Sequence, residues 1–395
     1  MKQLAILGST GSIGRQCLAV VEALPERFRV AALAAGANLE ELLGQIQRHA
    51  PELVSVGDAA CAARLAALLR EKGIRAPEIH HGREGMRAVG AHPHADIVVS
   101  AAVGVVGLEA TYEAVRLGKQ VALSNKEVLV AAGELVMAAA QKAGRELLPV
   151  DSEHNAIHQC LRGGTPKEVR RLVLTASGGP FRKTPLKNLA SVTPAQALAH
   201  PNWKMGNRIS IDSATMVNKG FEIIEARWLF GVRPDQIEVV IHPQSTVHSL
   251  VEFVDGSVLA QLGPTDMRMP IQYALTYPER VASNQVELDW ARLRRLDFEP
   301  ASTRRFPCLR LAREAMRKGG ALPCALNAAD EVAVAAFLEG RLPFLGIPEV
   351  IERVLSRTPR ARFAMMDEVL AADAEARRMA REEVQRLTAT ATAAP

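Results

Sequence analysis

The stretch that decides the fold is Leu4-Ala5-Ile6-Leu7-Gly8-Ser9-Thr10-Gly11-Ser12-Ile13-Gly14. Its apolar run predicts a buried strand, and the GxxGxxG spacing behind it predicts a tight turn that opens a helix. Glycine lets a backbone approach a pyrophosphate, and a helix N-terminus offers amide donors and positive potential. Working outward, apolar runs at 30–34, 53–56, 97–100, 121–124 and 147–150 read as further buried strands. Helical periods separate them at 58–70, 108–117 and 127–143, and Asn38 with Glu41 three residues later marks another helix start. Gly73, Gly118 and Gly144 stand where helices end. This β–α alternation predicts a doubly wound parallel sheet over residues 1–150.

After residue 150 the pattern changes. Strands are expected at 169–176, 237–241, 246–254 and 257–262, with Asp255-Gly256 turning a hairpin, and one helix over 213–230. Residues 200–207 carry Pro201, Asn202, Trp203 and Gly206 and read as a mobile loop. Residues 151–285 are therefore expected to form an α+β domain, 286–307 a connector, and 308–395 a helical bundle of four helices with a frayed tail.

The 395 residues carry 48 Lys+Arg against 43 Asp+Glu, a net charge of +5 too small and too dispersed for a nucleic-acid tail. Hydrophobic residues at 48% exclude a disordered chain, and aromatics at 4% argue against an all-β sandwich. No apolar stretch reaches the roughly 18 residues of a membrane span, and the N-terminus runs into the glycine motif without room for a signal peptide. The five cysteines (17, 61, 160, 308 and 324) form no CxxC and read as reduced, buried thiols of a cytoplasmic protein.

Asp151 and Glu153 follow a strand and could converge on one hard cation, with Glu222 as a third carboxylate. A capping acid with a first-turn acid explains the first two equally well. Lys219 and Glu222 could equally be a surface i,i+3 pair worth only about 0.2–0.5 kcal/mol. His154 and His158, four apart, read as one solvated helix face rather than a metal pair, and His242 and His248 as structural histidines. Trp203 could cover a ligand or anchor its loop. At 36–38, Gly36-Ala37-Asn38 lacks the acid that binds a ribose 2′-hydroxyl, which favours NADP but leaves its 2′-phosphate without a partner.

Together, Gly8–Gly14, Ser124-Asn-Lys-Glu127, Pro149-Val-Asp-Ser-Glu-His-Asn155, Ser177-Gly-Gly-Pro-Phe181, His200-Pro-Asn-Trp-Lys-Met-Gly206, Asp212–Gly220, 241–245 and 325–331 closely resemble the 1-deoxy-D-xylulose-5-phosphate reductoisomerase family, in the same order and across almost the whole chain. The resemblance implies a Rossmann-like N-terminal domain and an NADPH-dependent enzyme of the non-mevalonate isoprenoid pathway. The expected reaction is a metal-assisted retro-aldol/aldol rearrangement of deoxyxylulose phosphate, then hydride transfer to give 2-C-methyl-D-erythritol 4-phosphate. It implies Asp151, Glu153 and Glu222 as ligands of Mg²⁺, Mn²⁺ or Co²⁺, with Lys126 beside them and Ser152 on the substrate backbone. Ser177, Ser213, Asn218 and Lys219 would hold the phosphate, with His200 beside it, under a lid bearing Trp203 and Met205. Gly8, Thr10, Gly11, Ser12, Ile13, Gly36, Asn38, Asn125, Glu127 and Gly206 would line the NADPH site, although many family members carry a basic residue where this chain has Ala37. A cytoplasmic homodimer is implied, with no nucleic-acid or membrane partner. From the glycine loop and Lys126 alone, a simple dehydrogenase of a phosphorylated or acidic substrate would also fit, and a third reading is a nucleotide-binding regulator that has lost chemistry.

Overall fold

The computed structural model describes residues 1–203, 206–282, 287–291 and 293–392. The chain forms two compact units. One comprises Met1–Val128, Val136–Asn155 and Asp266–Gln285, and the other Leu129–Leu135, Ala156–Thr265 and Val286–Pro395.

The first unit is built on seven strands: β1 Lys2–Leu7, β2 Phe28–Ala34, β3 Leu53–Val56, β4 Glu78–His81, β5 Ile97–Ser100, β6 Gln120–Leu123 and β7 Leu147–Pro149. All pair in parallel, in the order β4-β3-β2-β1-β5-β6-β7. Strand order reverses between β1 and β5, the switch point where an open parallel sheet leaves a crevice at its C-terminal edge. Leu4, Ile6, Leu33, Ile97 and Val99 are buried at its centre. Helices begin and end as the sequence indicates. Asn38 Oδ1 accepts from Glu41 N, Asp58 accepts from Cys61 N, and Gly73, Gly118 and Gly144 have positive φ.

Strand β4 was not expected. Its Glu-Ile-His-His sequence is only half-buried at the sheet edge, so it carries no apolar run. A second difference is the helix Arg268–Thr276, which lay inside the expected 151–285 domain. It packs on the helix Ser12–Ala23 and contributes Ile271, Ala274 and Leu275 to the first unit's core. Such a return over more than a hundred residues leaves no local mark in sequence.

In the second unit, β8 Val169–Ala176 lies between β9 Ile237–Ile241, parallel to it, and β10 Val247–Phe253, antiparallel. The expected hairpin joins β10 to β11 Val258–Leu262, and β12 Glu299–Pro300 adds a short strand on β9 within the expected connector. The helices Pro307–Lys318, Leu322–Leu338, Gly346–Arg357 and Met366–Thr392 share one continuous core with this sheet rather than forming a separate bundle.

The expected single helix over 213–230 is broken. Asn207–Thr215 ends and Val217–Phe230 begins around Met216, which is buried with φ 62°. A left-handed non-glycine residue costs about 1–2 kcal/mol. Thr215 Oγ1 partly offsets this by accepting from Val217 N at 3.3 Å.

The thiols are free, and burial pushes Cys17 and Cys324 up to about 12 and Cys160 to about 11. Cys61 departs from the expectation of burial, being partly exposed on the helix it helps to cap.

Close packing fixes the glycine loop. A Cβ on Gly8, which has φ 87°, would stand 2.6 Å from Ala101 O, and one on Gly14 would stand 2.3 Å from Gly8 O. Both obstacles are backbone and cannot rotate away. Gly14→Ala should therefore destabilise the protein by about 1–3 kcal/mol, as overpacking does. Gly44→Ala, in a helix interior with no atom within 4 Å of its Cβ, should instead stabilise by roughly 0.5–1 kcal/mol. Urea unfolding of the two variants checks the opposite signs.

Candidate active site

Within the first unit, four strand ends build one edge. Gly8 N and Ser9 N donate to Ala34 O at 2.9 and 2.8 Å, closing the glycine loop onto the end of β2. Gln45, fully buried in the helix Leu39–His49, donates from Nε2 to Ser9 O at 3.0 Å and braces the loop from below. Sequence reading missed Gln45; a buried amide on the apolar face of an amphipathic helix is the only sign it gives. Thr10, Gly11, Ser12 and Ile13 lead into the helix Ser12–Ala23, whose N-cap Gly11 makes no side-chain cap bond. Gly36, Ala37 and Asn38 are exposed beyond β2, with Asn38 serving as an N-cap.

Asn125 is buried, and its Nδ2 donates to Ala102 O at 2.5 Å and Gly104 O at 2.7 Å, clamping the loop after β5. Lys126 follows, only 6% exposed, with Nζ 2.5 Å from Asp151 Oδ2 beyond the end of β7. Burial would raise the Asp151 carboxyl, but the Lys126 charge and His154 hold it well below the usual carboxylate range. Asp151 is therefore an ionised oxygen donor at neutral pH. Its Oδ1 also accepts from Ser152 N, the adjacent amide, at 3.1 Å. Ser152 donates to Glu153. Glu127 opens the helix Glu127–Ala143 and is half-buried. His154 is fully buried with Nδ1 3.7 Å from Asp151 Oδ2, which corrects the expectation of a solvated His154–His158 face.

The second unit carries the other expected residues. Along the helix Val217–Phe230, Asn218 Nδ2 donates to Glu222 Oε1 at 2.6 Å and Lys219 Nζ pairs with Glu222 Oε2. Lys219 and Glu222 are both buried, so the surface-pair reading fails while the pairing itself is present. A buried pair of this kind is retained at a desolvation cost that makes it poor as a stability device.

In the second unit, His200 ties its own loop to the Ser177 turn. Its Nδ1 accepts from Trp203 N at 3.0 Å and Asn202 N at 3.2 Å, so the ring proton sits on Nε2. Nε2 then donates to Ser177 Oγ at 3.0 Å, and Gly179 N donates to the same oxygen at 3.2 Å. Burial lowers the His200 pKa, which keeps the ring neutral. With its acceptor capacity used, the Ser177 hydroxyl proton is left to donate outward. Asn202 Nδ2 ties this part of the loop to Pro243 O at 2.5 Å and Ser245 Oγ at 2.9 Å. Trp203 is half-buried and Gly206 exposed, while Met205 lies outside the described residues. Ser213 is half-buried on the helix Asn207–Thr215, and a Cβ on Gly179 would meet Ser213 O at 2.6 Å, so the Ser177 turn and this helix end are in direct contact. His242 is structural, with Nδ1 2.8 Å from Asp297 O and its ring stacked on Phe298.

The same helix is anchored by a network that the sequence did not reveal. Arg208 donates to Asn327 Oδ1 at 2.9 Å and Glu331 Oε1 at 3.0 Å and stands 3.5 and 3.6 Å from Asp212 and Asp330. Arg208 occupies the helix's first turn, where a cation opposes the dipole, so its partners rather than propensity hold it there. Asp330 is fully buried, and burial followed by the Asp212 charge raises its carboxyl well above the usual range. The unfolded chain releases that proton near the ordinary pKa of about 3.9. The native protein binds more protons above that point, so wild-type stability falls as pH rises through and beyond it. Asp330→Asn removes this loss. Its stability relative to wild type should increase between about pH 4 and pH 7, read by urea unfolding at both ends; a gap independent of pH would refute the buried neutral carboxyl.

Three family models match the chain: 1-deoxy-D-xylulose 5-phosphate reductoisomerase over residues 4–133, its C-terminal domain over 147–230, and the DXP reductoisomerase C-terminal domain over 262–379. A 1-deoxy-D-xylulose 5-phosphate reductoisomerase of Solibacter usitatus is 54% identical over 385 residues, covering 97% of each chain. One of Symbiobacterium thermophilum is 54% identical over 98% of this chain and 100% of its own. Among solved structures, the Zymomonas mobilis enzyme in complex with NADPH superposes with a TM-score of 0.90 at 42% identity, covering 97% of this chain and 99% of that one. A DOX-P reductoisomerase in complex with NADPH, fosmidomycin and magnesium superposes with a TM-score of 0.92 at 40% identity over 98% of each. With likeness this high over nearly the full length of sequence and fold alike, the chain belongs to the 1-deoxy-D-xylulose 5-phosphate reductoisomerase family.

Proposed function

We propose that the chain converts 1-deoxy-D-xylulose 5-phosphate to 2-C-methyl-D-erythritol 4-phosphate with NADPH and a divalent cation. Full-length identity of 54% to enzymes of that name supports the reaction. The observation in this chain that carries it is the shared edge of the first unit. There the glycine loop after β1 and the Lys126–Asp151 pair after β6 and β7 stand at the C-terminal ends of one parallel sheet. Hydride donor and polarising groups need a common side, and this topology supplies one.

We assign the cation to Asp151, Glu153 and Glu222. Carboxylate oxygens suit Mg²⁺, with Mn²⁺ or Co²⁺ as substitutes, and an Asp151 held ionised fits that use. When bound, the cation supplies Lewis-acid polarisation of substrate oxygens and NADPH supplies the hydride. Lys126 holds a fixed positive charge against Asp151 and orients it. Ser152, on the same helix turn, faces the substrate backbone in this reading. Ser177, Ser213, Asn218 and Lys219 bind the phosphate end through neutral donors and a point charge, with His200 beside it holding the Ser177 hydroxyl in place. Trp203 and Met205 cover the substrate. Gly8, Thr10, Gly11, Ser12, Ile13, Gly36, Asn38, Glu127 and Gly206 line the NADPH site. Asn125 acts there by shaping the loop after β5, since its amide donors go to backbone carbonyls. A cytoplasmic homodimer completes the reading on family resemblance alone.

Purified protein should oxidise NADPH when given deoxyxylulose phosphate and Mg²⁺, and yield the branched methylerythritol skeleton. An unbranched product, or no oxidation by folded protein with Mn²⁺ also supplied, would refute the reading. Chelation should abolish turnover and added Mn²⁺ restore it. Asp151→Asn should lower kcat by on the order of 100-fold or more, the scale of losing a preorganised charge contact. Ser177→Ala should act mainly on KM, raising it by roughly tenfold, as expected for one hydrogen bond to a charged group. Steady-state kinetics of the two variants separates the roles.

A further inference from the structure

We propose that Glu52, His92 and His94 form a binding site for a divalent transition cation of the Zn²⁺ type, at the N-terminal edge of the first unit's sheet. All three belong to that unit. One ligand atom from each lies within 4.8 Å of the others. Glu52 immediately precedes β3, and His92 and His94 lie in the approach to β5. In a parallel sheet both positions are at the edge opposite the cofactor crevice, so this site is separate from the reaction.

The donor geometry is close to what a metal needs. Glu52 Oε2 is 2.7 Å from His94 Nδ1 and 3.7 Å from His92 Nε2. Ligands at about 2.0–2.1 Å from a tetrahedral ion stand roughly 3.3 Å apart. Opening the first contact by about 0.6 Å and closing the second by about 0.4 Å would meet that spacing. Two imidazoles and one carboxylate favour borderline cations over Mg²⁺, which prefers all-oxygen shells.

His92 is the second sign of a ligand. Its side chain is only 9% exposed, yet its Nδ1 is buried with no hydrogen-bond partner and its Nε2 is beyond hydrogen-bond reach of Glu52. Nε2, the nitrogen that faces Glu52, therefore has no hydrogen-bond partner among the described residues and is the one a cation would take. The frame is held on both sides. Glu52 N donates to Ala31 O at 2.8 Å, and Lys119 Nζ donates to His92 O at 2.6 Å and Ala95 O at 2.8 Å. The Arg29 and Lys119 charges oppose a bound cation, and Glu78 partly offsets them. The exposed sides of Glu52 and His94 leave room for water or a further ligand. A bound ion would link the lead-in segments of β3 and β5, which β2 and β1 separate in the sheet.

The test is calorimetric titration of Zn²⁺ into the full chain in excess Mg²⁺, with wild type, His94→Asn and Glu52→Gln. These two substitutions are at exposed positions, which spares the fold, and neither residue belongs to the reaction machinery. A saturable one-to-one site in wild type, weakened about tenfold or more in each variant, is the expected result. NADPH oxidation measured without Zn²⁺ should be the same in all three proteins. Zinc uptake at the Asp151 carboxylates would persist in both variants and so is distinguishable. Isotherms of the variants that superimpose on wild type, or only weak non-saturating uptake by wild type, would overturn the proposal.

Discussion

A buried lysine and a partly buried aspartate meet where β6 and β7 end, and the ionised state of Asp151 depends on that contact. Each charge alone would be expensive to bury, and an Asp151 without Lys126 would shift toward its neutral form. Together they keep an ionised carboxylate inside the protein beside a parallel sheet edge. The backbone supplies the placement. Val150 N bonds Leu123 O at 2.8 Å, Asn125 N bonds Ser100 O at 3.0 Å, and Ala101 N bonds Leu7 O at 2.9 Å, so strand ends from β1 to β7 are stepped together. The ladder that builds the sheet also fixes the distance between the glycine loop and the charged pair.

The parts legible in sequence are those written in local patterns. The glycine loop, six of the seven parallel strands, the caps at Asn38 and Asp58 and the left-handed glycines each rest on neighbours within a few residues. The other features depend on distant contacts. The helix Arg268–Thr276 returns to the first unit because its apolar face fits the helix Ser12–Ala23, and nothing in its own period says so. Strand β4 lacks an apolar run because an edge strand can be half-solvated. The break at Met216 needs a buried left-handed residue that local statistics disfavour.

The candidate site residues divide along the same line. Asp151, Glu153, Lys219 and Glu222 stand in strings dense enough to be noticed, but their sequence neighbours could not say whether they were buried. Burial decides the matter for Lys219–Glu222: a solvated pair would be nearly neutral in energy, whereas this one is held in place by the fold around it. Gln45 and Arg208 were invisible for the opposite reason. They make no motif and act on residues 36 and 119 positions away, by bracing Ser9 and by bonding Asn327.

The same distinction explains why the net charge carries so little. The proposed phosphate site does not depend on surplus lysine. It uses a serine whose acceptor capacity is filled by a neutral histidine and a glycine amide, so that its one remaining proton points outward. The tautomer is set by two backbone amides of the following loop. If that loop moved, His200 Nδ1 would lose its donors and the ring could place its proton on either nitrogen. Ser177 would then lose its fixed role as donor. Loop position and the donor role of Ser177 are thus linked through one imidazole, without any change of charge.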